Sequence, residues 1–192
     1  RGGQHRGHPH QLAHPAPASL LPVGSQAPAI QPVTGGPPLP DQVAASAGRP
    51  LIVEFFETTC PVCQQAATPL CDLLLSHPGV ALLAVDAVGE NAAAIAGFRS
   101  DRYAGCPSLA RITLLTDPCP AGQSATTPAC DNVTTRWKVA FVPTVYVLDP
   151  RGVIAGASSG PTAVDDARAA LDRIGTSARP SRGVLARVPA LA

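Results

Sequence analysis

Methionine is absent from this sequence, and aromatic side chains are scarce: one Trp, two Tyr and four Phe in 192 residues. Without a Met, Arg1 is expected to be the product of processing or trimming, with any signal peptide or membrane anchor upstream of it. An excess of either charge is also missing. Fourteen Lys and Arg against thirteen Asp and Glu leave a formal charge of +1, which gives no electrostatic reason to expect a nucleic-acid partner. No run of 18 apolar residues occurs, so no bilayer span is predicted.

The few aromatics are informative because they are clustered. Phe55, Phe56, Phe98, Tyr103, Trp137, Phe141 and Tyr146 all lie between positions 55 and 146. Aromatic side chains carry much of a core's buried area, so the folded body must straddle that stretch. Residues 1–24 hold four of the five histidines and almost no large apolar residue; such a segment cannot offset its ordering entropy and is predicted to be disordered. Ten of the 22 prolines fall in the first fifty positions. This pattern predicts an extended lead-in over 23–50 with a weak helix at 41–47. The folded domain is expected over 25–175, with a flexible tail over 176–192.

Within the body the hydrophobic period alternates between that of strands and that of helices. Strands are predicted at 51–57, 80–86, 111–116, 144–149 and 153–157, the last two joined by the turn signal Asp149-Pro150-Arg151-Gly152. Helices are predicted at 60–76, 90–103, 131–138 (with Asp131 as N-cap) and 162–174. A loop dense in Pro, Gly, Ser and Thr fills 117–130. Strand–helix–strand first and a hairpin last implies an α/β domain whose sheet has parallel and antiparallel parts.

Cys60-Pro61-Val62-Cys63 falls between the first strand and its helix. Thiol–disulfide exchange needs a thiolate, and the free N–H groups at a helix N-terminus favour one. Pro61 suits the first helical position, where no N–H is required. Cys63 lies one turn on, close enough to attack a mixed disulfide on Cys60. The alternative, half of a zinc site, needs a second ligand pair on a matching knuckle, and Cys119 and Cys130 flank a long loop instead. A metal-handling module using Cys60, Cys63 and the N-terminal histidines, and a redox-sensing domain without turnover, are the competing functional classes.

With these residues in view, the segment 50–174 resembles the thioredoxin superfamily, and within it the extracytoplasmic TlpA-type branch. Four features carry the resemblance: Val53-Glu54-Phe55-Phe56-Glu57-Thr58-Thr59 leading into Cys60; the CxxC; Phe141-Val142-Pro143-Thr144 before a strand; and Val147-Leu148-Asp149-Pro150-Arg151-Gly152-Val153-Ile154. The lead-in Val23-Gly24-Ser25-Gln26-Ala27-Pro28 is also similar to that branch. The chain departs from it at Thr59, where the family has an aromatic, and at Pro69, one residue later than the family's helix proline.

The resemblance implies a thioredoxin fold: a central mixed sheet flanked by helices, here with an N-terminal extension and a loop insertion before the cis-proline strand. It makes Cys60 the attacking thiol, Cys63 the resolving thiol and Glu54 the buried acid that relays a proton. Pro143 becomes the cis-proline that, with Val142, Pro61 and Val62, receives a substrate. Protein thiols and disulfides are the implied substrates, without a cofactor or resident metal. A membrane-embedded redox partner would recycle the pair. The implied location is the periplasm or cell envelope, and the reducing direction is favoured.

Four further cysteines remain. A helical Cys71 would lie about 16 Å along the axis from Cys60, too far to pair with the CxxC. Cys71, Cys106, Cys119 and Cys130 therefore admit three pairings. Cys119–Cys130 would staple the 117–130 loop, and Cys71–Cys106 would then tie the first helix to the segment before the third strand. Alternatively, Cys71 and Cys106 are small buried hydrophobes. Asn132-Val133-Thr134 matches the glycosylation sequon.

Overall fold

A computed structural model describes residues 19–31, 41–119 and 131–177. The histidine-bearing tail, Cys130 and the C-terminal tail lie outside the described residues. The elements run α1 (Gln42–Ala45), β1 (Leu51–Phe56), α2 (Pro61–Ser76), β2 (Ala81–Asp86) and α3 (Ala92–Tyr103), then a 3-10 turn at Leu109–Arg111, β3 (Ile112–Thr116), α4 (Val133–Arg136), β4 (Thr144–Leu148), β5 (Ile154–Ser159) and α5 (Ala163–Ser177). The five strands form one sheet in the order β3-β2-β1-β4-β5. β1 and β2 pair in parallel, as do β2 and β3, while β1–β4 and β4–β5 are antiparallel. The expected mixed sheet is thus present, with β1 at its centre.

A central strand is covered on both faces, and all six residues of β1 are buried. The period of two sorts them. Ile52 and Phe56 join the core formed with α2, α3 and α5; Leu51, Val53 and Phe55 join a second core on the opposite face. Trp137, Tyr146 and Phe55 stack in the second core with ring centroids 5.1–6.3 Å apart. Six of the seven aromatics are buried as their clustering implies, but Phe141 is 68% exposed.

The lead-in is packed from further upstream than the predicted boundary at residue 24. Leu20 and Leu21 lie against the second core and Ile30 is fully buried. The Leu21 N–H donates to the Tyr146 hydroxyl at 3.2 Å, and Gln26 bridges to Val153. The apolar pair Leu20-Leu21 therefore fastens the start of the described lead-in to the second core.

The capping of α4 shifts by one residue from the expectation. Asn132, not Asp131, is the N-cap; its side chain accepts from the Thr135 N–H at 3.0 Å. Asp131 instead pairs with Arg136 at the surface. The same Asn132 is buried and its Nδ2 donates to the Asp117 carbonyl. The sequon nitrogen is thus engaged inside the fold, which removes it as a glycosylation acceptor in the folded protein.

The C-terminal end of α2 is completed by a distant side chain. Arg111 donates through Nη2 to the Leu74 carbonyl at 2.7 Å and through Nη1 to the carbonyls of His77 and Val80, satisfying acceptors that a helix end leaves open. Nearby, Cys71 on α2 is bonded to Cys106, 35 residues on; of the two alternatives for these cysteines, the pairing is the one formed. Cys119 is disulfide-bonded as well; its expected partner Cys130 is outside the described residues.

Closing a loop of this length restricts the unfolded chain by about 4 kcal/mol in the chain-entropy model. Replacing Cys71 and Cys106 together by Ala is expected to lower unfolding free energy by about 2–4 kcal/mol while leaving the Cys60–Cys63 thiols countable. Denaturant unfolding without reductant, with a thiol titration, checks both.

Candidate functional site

The carboxyl end of β1 delivers the chain into α2 through a tight turn, in which the Cys60 N–H donates to the Glu57 carbonyl at 3.2 Å. Cys60 is the N-cap of α2 and Pro61 occupies its first turn. A Pro here forfeits no helical hydrogen bond, and the N–H groups beyond it stay available. One is used at once: the Cys63 N–H donates to the Cys60 sulfur at 3.2 Å. Among the described residues Cys60 and Cys63 are the free cysteines, the first partly exposed and the second buried. Pro69 sits in the interior of α2, which runs through it to Ser76.

Burial pushes the Cys63 thiol well above its ordinary value, and the neighbouring Cys60 and Glu54 add to the rise. Glu54 is 1% exposed. It faces the same core as Ile52 and Phe56, the face covered by α2, because all three share one side of the strand. The Tyr103 hydroxyl, at the end of α3, donates to Glu54 Oε2 at 3.5 Å, and Oε1 has no hydrogen-bond partner among the described residues. Desolvation dominates over that one weak donor, so the Glu54 carboxyl is raised from 4.5 to about 8. A Glu on an edge strand could turn its side chain to solvent, but β1 has a strand on each side. Tyr103 itself was legible only as a core aromatic; its contact with Glu54 depends on how α3 ends against the sheet.

The segment before β4 closes the site from the other side. The Val142–Pro143 peptide bond is cis, and the Val142 carbonyl lies 4.0 Å from the Cys60 sulfur. Pro143 is buried, Val62 and Val142 are half-buried, and Pro61 is exposed. A cleft of about 300 Å³ flanks this junction, lined by Glu57, Val88, Thr134, Phe141 and Val142. A smaller one of about 140 Å³ lies between Val62, Pro69, Pro143 and Gly160. The exposed side chains of Phe141 and Val88 (44% exposed) rim the first. A larger cleft of about 410 Å³, between the β4–β5 turn and α5, contains none of the thiol groups.

All the predicted catalytic and substrate-binding residues, Cys60, Cys63, Glu54, Pro61, Val62, Val142 and Pro143, thus meet at one end of the sheet. The Cys71–Cys106 bond lies apart from the Cys60–Cys63 pair, further along α2. Two acidic residues that the sequence reading passed over also converge there. Asp86, the last residue of β2, is fully buried, and its carboxyl is raised from 3.8 to about 6 by desolvation, against hydrogen bonds from the N–H groups of Glu90 and Val88. Glu90 reaches the turn before Cys60. A carboxylate ending the apolar run 81–86 was the available signal. Among the described residues no group of three or more His, Cys, Asp or Glu is placed to hold a metal ion.

No protein-family model and no curated protein matches the sequence. Solved structures do match. A thiol:disulfide interchange protein from Bacteroides sp. aligns with 17% identity and a TM-score of 0.60, over 85% of this chain and 96% of the other. The thioredoxin domain of a thiol-disulfide oxidoreductase from Bacteroides vulgatus aligns with 18% identity and a TM-score of 0.57, over 80% and 97%. A secreted disulfide oxidoreductase of Mycobacterium tuberculosis, homologous to E. coli DsbE, aligns with 19% identity and a TM-score of 0.52, over 76% and 93%. At these identities the likeness is one of fold.

The raised Glu54 carboxyl has a consequence for stability. The folded chain keeps a proton on Glu54 up to about pH 8, whereas the unfolded chain releases it near 4.5. The folded state therefore binds more protons within that window, and stability must fall as pH rises through it, by up to about 1.4 kcal/mol per pH unit. Glu54→Gln is expected to remove this slope. Unfolding free energies of wild type and variant from pH 4 to 9 check it; parallel curves would place the charge of Glu54 in solvent.

Proposed function

We propose that this chain, which has the thioredoxin fold, is a thiol–disulfide oxidoreductase that exchanges disulfides with protein substrates through Cys60 and Cys63. The observation that carries the reading is the stacking of three groups at the mouth of α2: a partly exposed sulfur at the N-cap, a buried second thiol one turn on, and a buried acid beneath it. Each does something the exchange needs.

In the reducing direction the Cys60 thiolate attacks one sulfur of a substrate disulfide. The substrate S–S bond breaks, one substrate sulfur leaves as a thiolate and takes a proton from water, and a Cys60–substrate mixed disulfide forms. The Cys63 N–H that faces the Cys60 sulfur stabilises its anionic form before attack. In molecules whose Glu54 is ionised, a fraction that grows as pH approaches 8, Cys63 then gives its proton to the carboxylate and attacks the Cys60 sulfur. The mixed disulfide breaks, the second substrate thiolate leaves, and Cys60–Cys63 becomes the disulfide, two electrons having passed to the substrate. In the oxidising direction Glu54 returns the proton to the departing Cys63. A carboxyl with a value of about 8 is close enough to neutrality to serve both ways.

The Val142 carbonyl, 4.0 Å from the Cys60 sulfur, is the backbone group an extended substrate would pair with, and Pro61 and Val62 would flank that substrate. Apolar Phe141 and Val88 line the approach. The resemblance to the TlpA-type branch favours the reducing direction and a membrane-embedded partner that recycles the pair. A location outside the cytoplasm is supported by the disulfide bond of Cys71 and Cys106, since such bonds persist in oxidising compartments. No described helix is long and apolar enough to cross a membrane.

Three measurements test the reading. Reduced Cys63→Ser, mixed with a disulfide-bonded protein substrate, is expected to trap a mixed disulfide on Cys60, and Cys60→Ser to trap none; mass spectrometry of non-reduced samples distinguishes them. Trapping on Cys63 would reverse the roles. Glu54→Gln keeps the shape but cannot carry the proton, so insulin reduction is expected to slow by about ten- to a thousandfold. The reduction potential decides the direction: a value near thioredoxin's, about −270 mV, supports the reductant, and one near −120 mV supports an oxidant.

A further inference from the structure

Thr58 stands two residues before Cys60, and all its hydrogen-bonding groups are taken by side chains. Its N–H donates to Glu90 Oε2 at 2.9 Å, and its hydroxyl donates to Glu90 Oε1 in a short contact. Its carbonyl accepts from Gln64 Nε2 at 2.8 Å. Gln64 is fixed in turn by Arg102, whose Nη2 donates to Gln64 Oε1 at 2.8 Å. The turn that feeds the CxxC is therefore gripped from two helices.

Glu90 is itself held from behind. Its N–H donates to Asp86 in a short contact, and its carbonyl accepts from Thr116 Oγ1 at 2.8 Å. Asp86 also accepts from the Val88 N–H at 3.3 Å. These anchors sit at the carboxyl ends of β2 and β3, so the position of the Glu90 carboxylate is referred to the sheet rather than to a free loop. A carboxylate has acceptors only, which suits the two donors of Thr58. An amide in its place would present one acceptor and one NH2 group, and the NH2 would face one of those donors.

We propose that Glu90 is a positioning residue for the exchange: its carboxylate clamps Thr58 and so fixes the Cys60 sulfur against the Cys63 N–H. Only Thr59 lies between the clamp and Cys60, and its side chain, exposed and bonded to Glu57 at 2.9 Å, ties it to the same turn. Released at Thr58, this turn keeps the Cys60-to-Glu57 backbone bond but loses its attachment to the sheet. The sulfur then wanders relative to the N–H that stabilises its anion. This inference rests on the oxidoreductase reading, in which that anion is the nucleophile.

The experiment compares wild type, Glu90→Gln, Thr58→Val and Thr58→Ser by three readouts: the pH profile of Cys60 alkylation, the exchange constant of the pair with glutathione, and the thermal midpoint. Glu90→Gln and Thr58→Val are expected to move the alkylation profile toward higher pH. Both are also expected to change the exchange constant by about three- to tenfold toward the disulfide, the worth of roughly one hydrogen bond. Thr58→Ser keeps both donors and is expected to behave as wild type. A Glu90→Gln profile displaced toward lower pH, with Thr58→Val unmoved, would show that Glu90 acts only as a nearby charge and would overturn the proposal. Midpoints that fall while profile and exchange constant stay put would overturn it equally. Absence of any exchange in wild type counts against the oxidoreductase reading alone, because the alkylation profile still reports the clamp.

Discussion

A carboxyl group in the middle of a fully buried strand is the constraint around which this molecule is arranged. Glu54 has a strand on either side and cores above and below, so it cannot reach water, and its one hydrogen bond from Tyr103 is long. Holding an ionised carboxylate there is costly, and the group responds by keeping its proton. That retained proton lies beneath a thiol that burial also keeps protonated. Both groups are thus held in their neutral forms by burial, and the cost of burying them falls on stability.

Two segments about 80 residues apart in the chain meet at the Cys60 sulfur. β1 ends in the turn at Glu57–Cys60, α2 begins there, and the cis-proline segment before β4 arrives beside Cys60 because β4 pairs antiparallel with β1. The sheet order brings the carboxyl ends of the parallel strands to the same edge, where Asp86 and Glu90 add a second acidic layer around the turn. Cys60 therefore sits at a junction whose walls come from β1, β2, α2, α3 and the β4 entry, and whose approach is lined by exposed Phe141 and Val88.

Away from the site the chain is secured by devices of other kinds. Arg111 closes α2 at its far end, and Cys71–Cys106 ties the same helix to the segment after α3. Leu20 and Leu21 fasten the lead-in to the Trp137–Tyr146 core. The helix that carries the CxxC is thus fixed at its middle and at its end, which leaves the N-terminal turn as the part whose position depends on side-chain clamps such as Glu90.

The sequence by itself determined the local elements and the chemistry-bearing positions, because both follow from short-range patterns. The apolar run 51–56 interrupted by Glu54, the CxxC after it, and the turn Asp149-Pro150-Arg151-Gly152 are readable residue by residue, and they led to the mixed sheet and to the choice of Cys60, Cys63, Glu54 and Pro143 as candidate site residues. Element ends moved by a residue or two, as with Asn132 replacing Asp131 at the cap, because a cap depends on which side chain reaches the amide. Only the tertiary structure decided the partners. Tyr103 over Glu54, Glu90 on Thr58, Arg111 on the end of α2 and the pairing of Cys71 with Cys106 each join positions more than 30 residues apart. Such contacts arise from how helices settle on a twisted sheet, and no local period in the sequence encodes that distance.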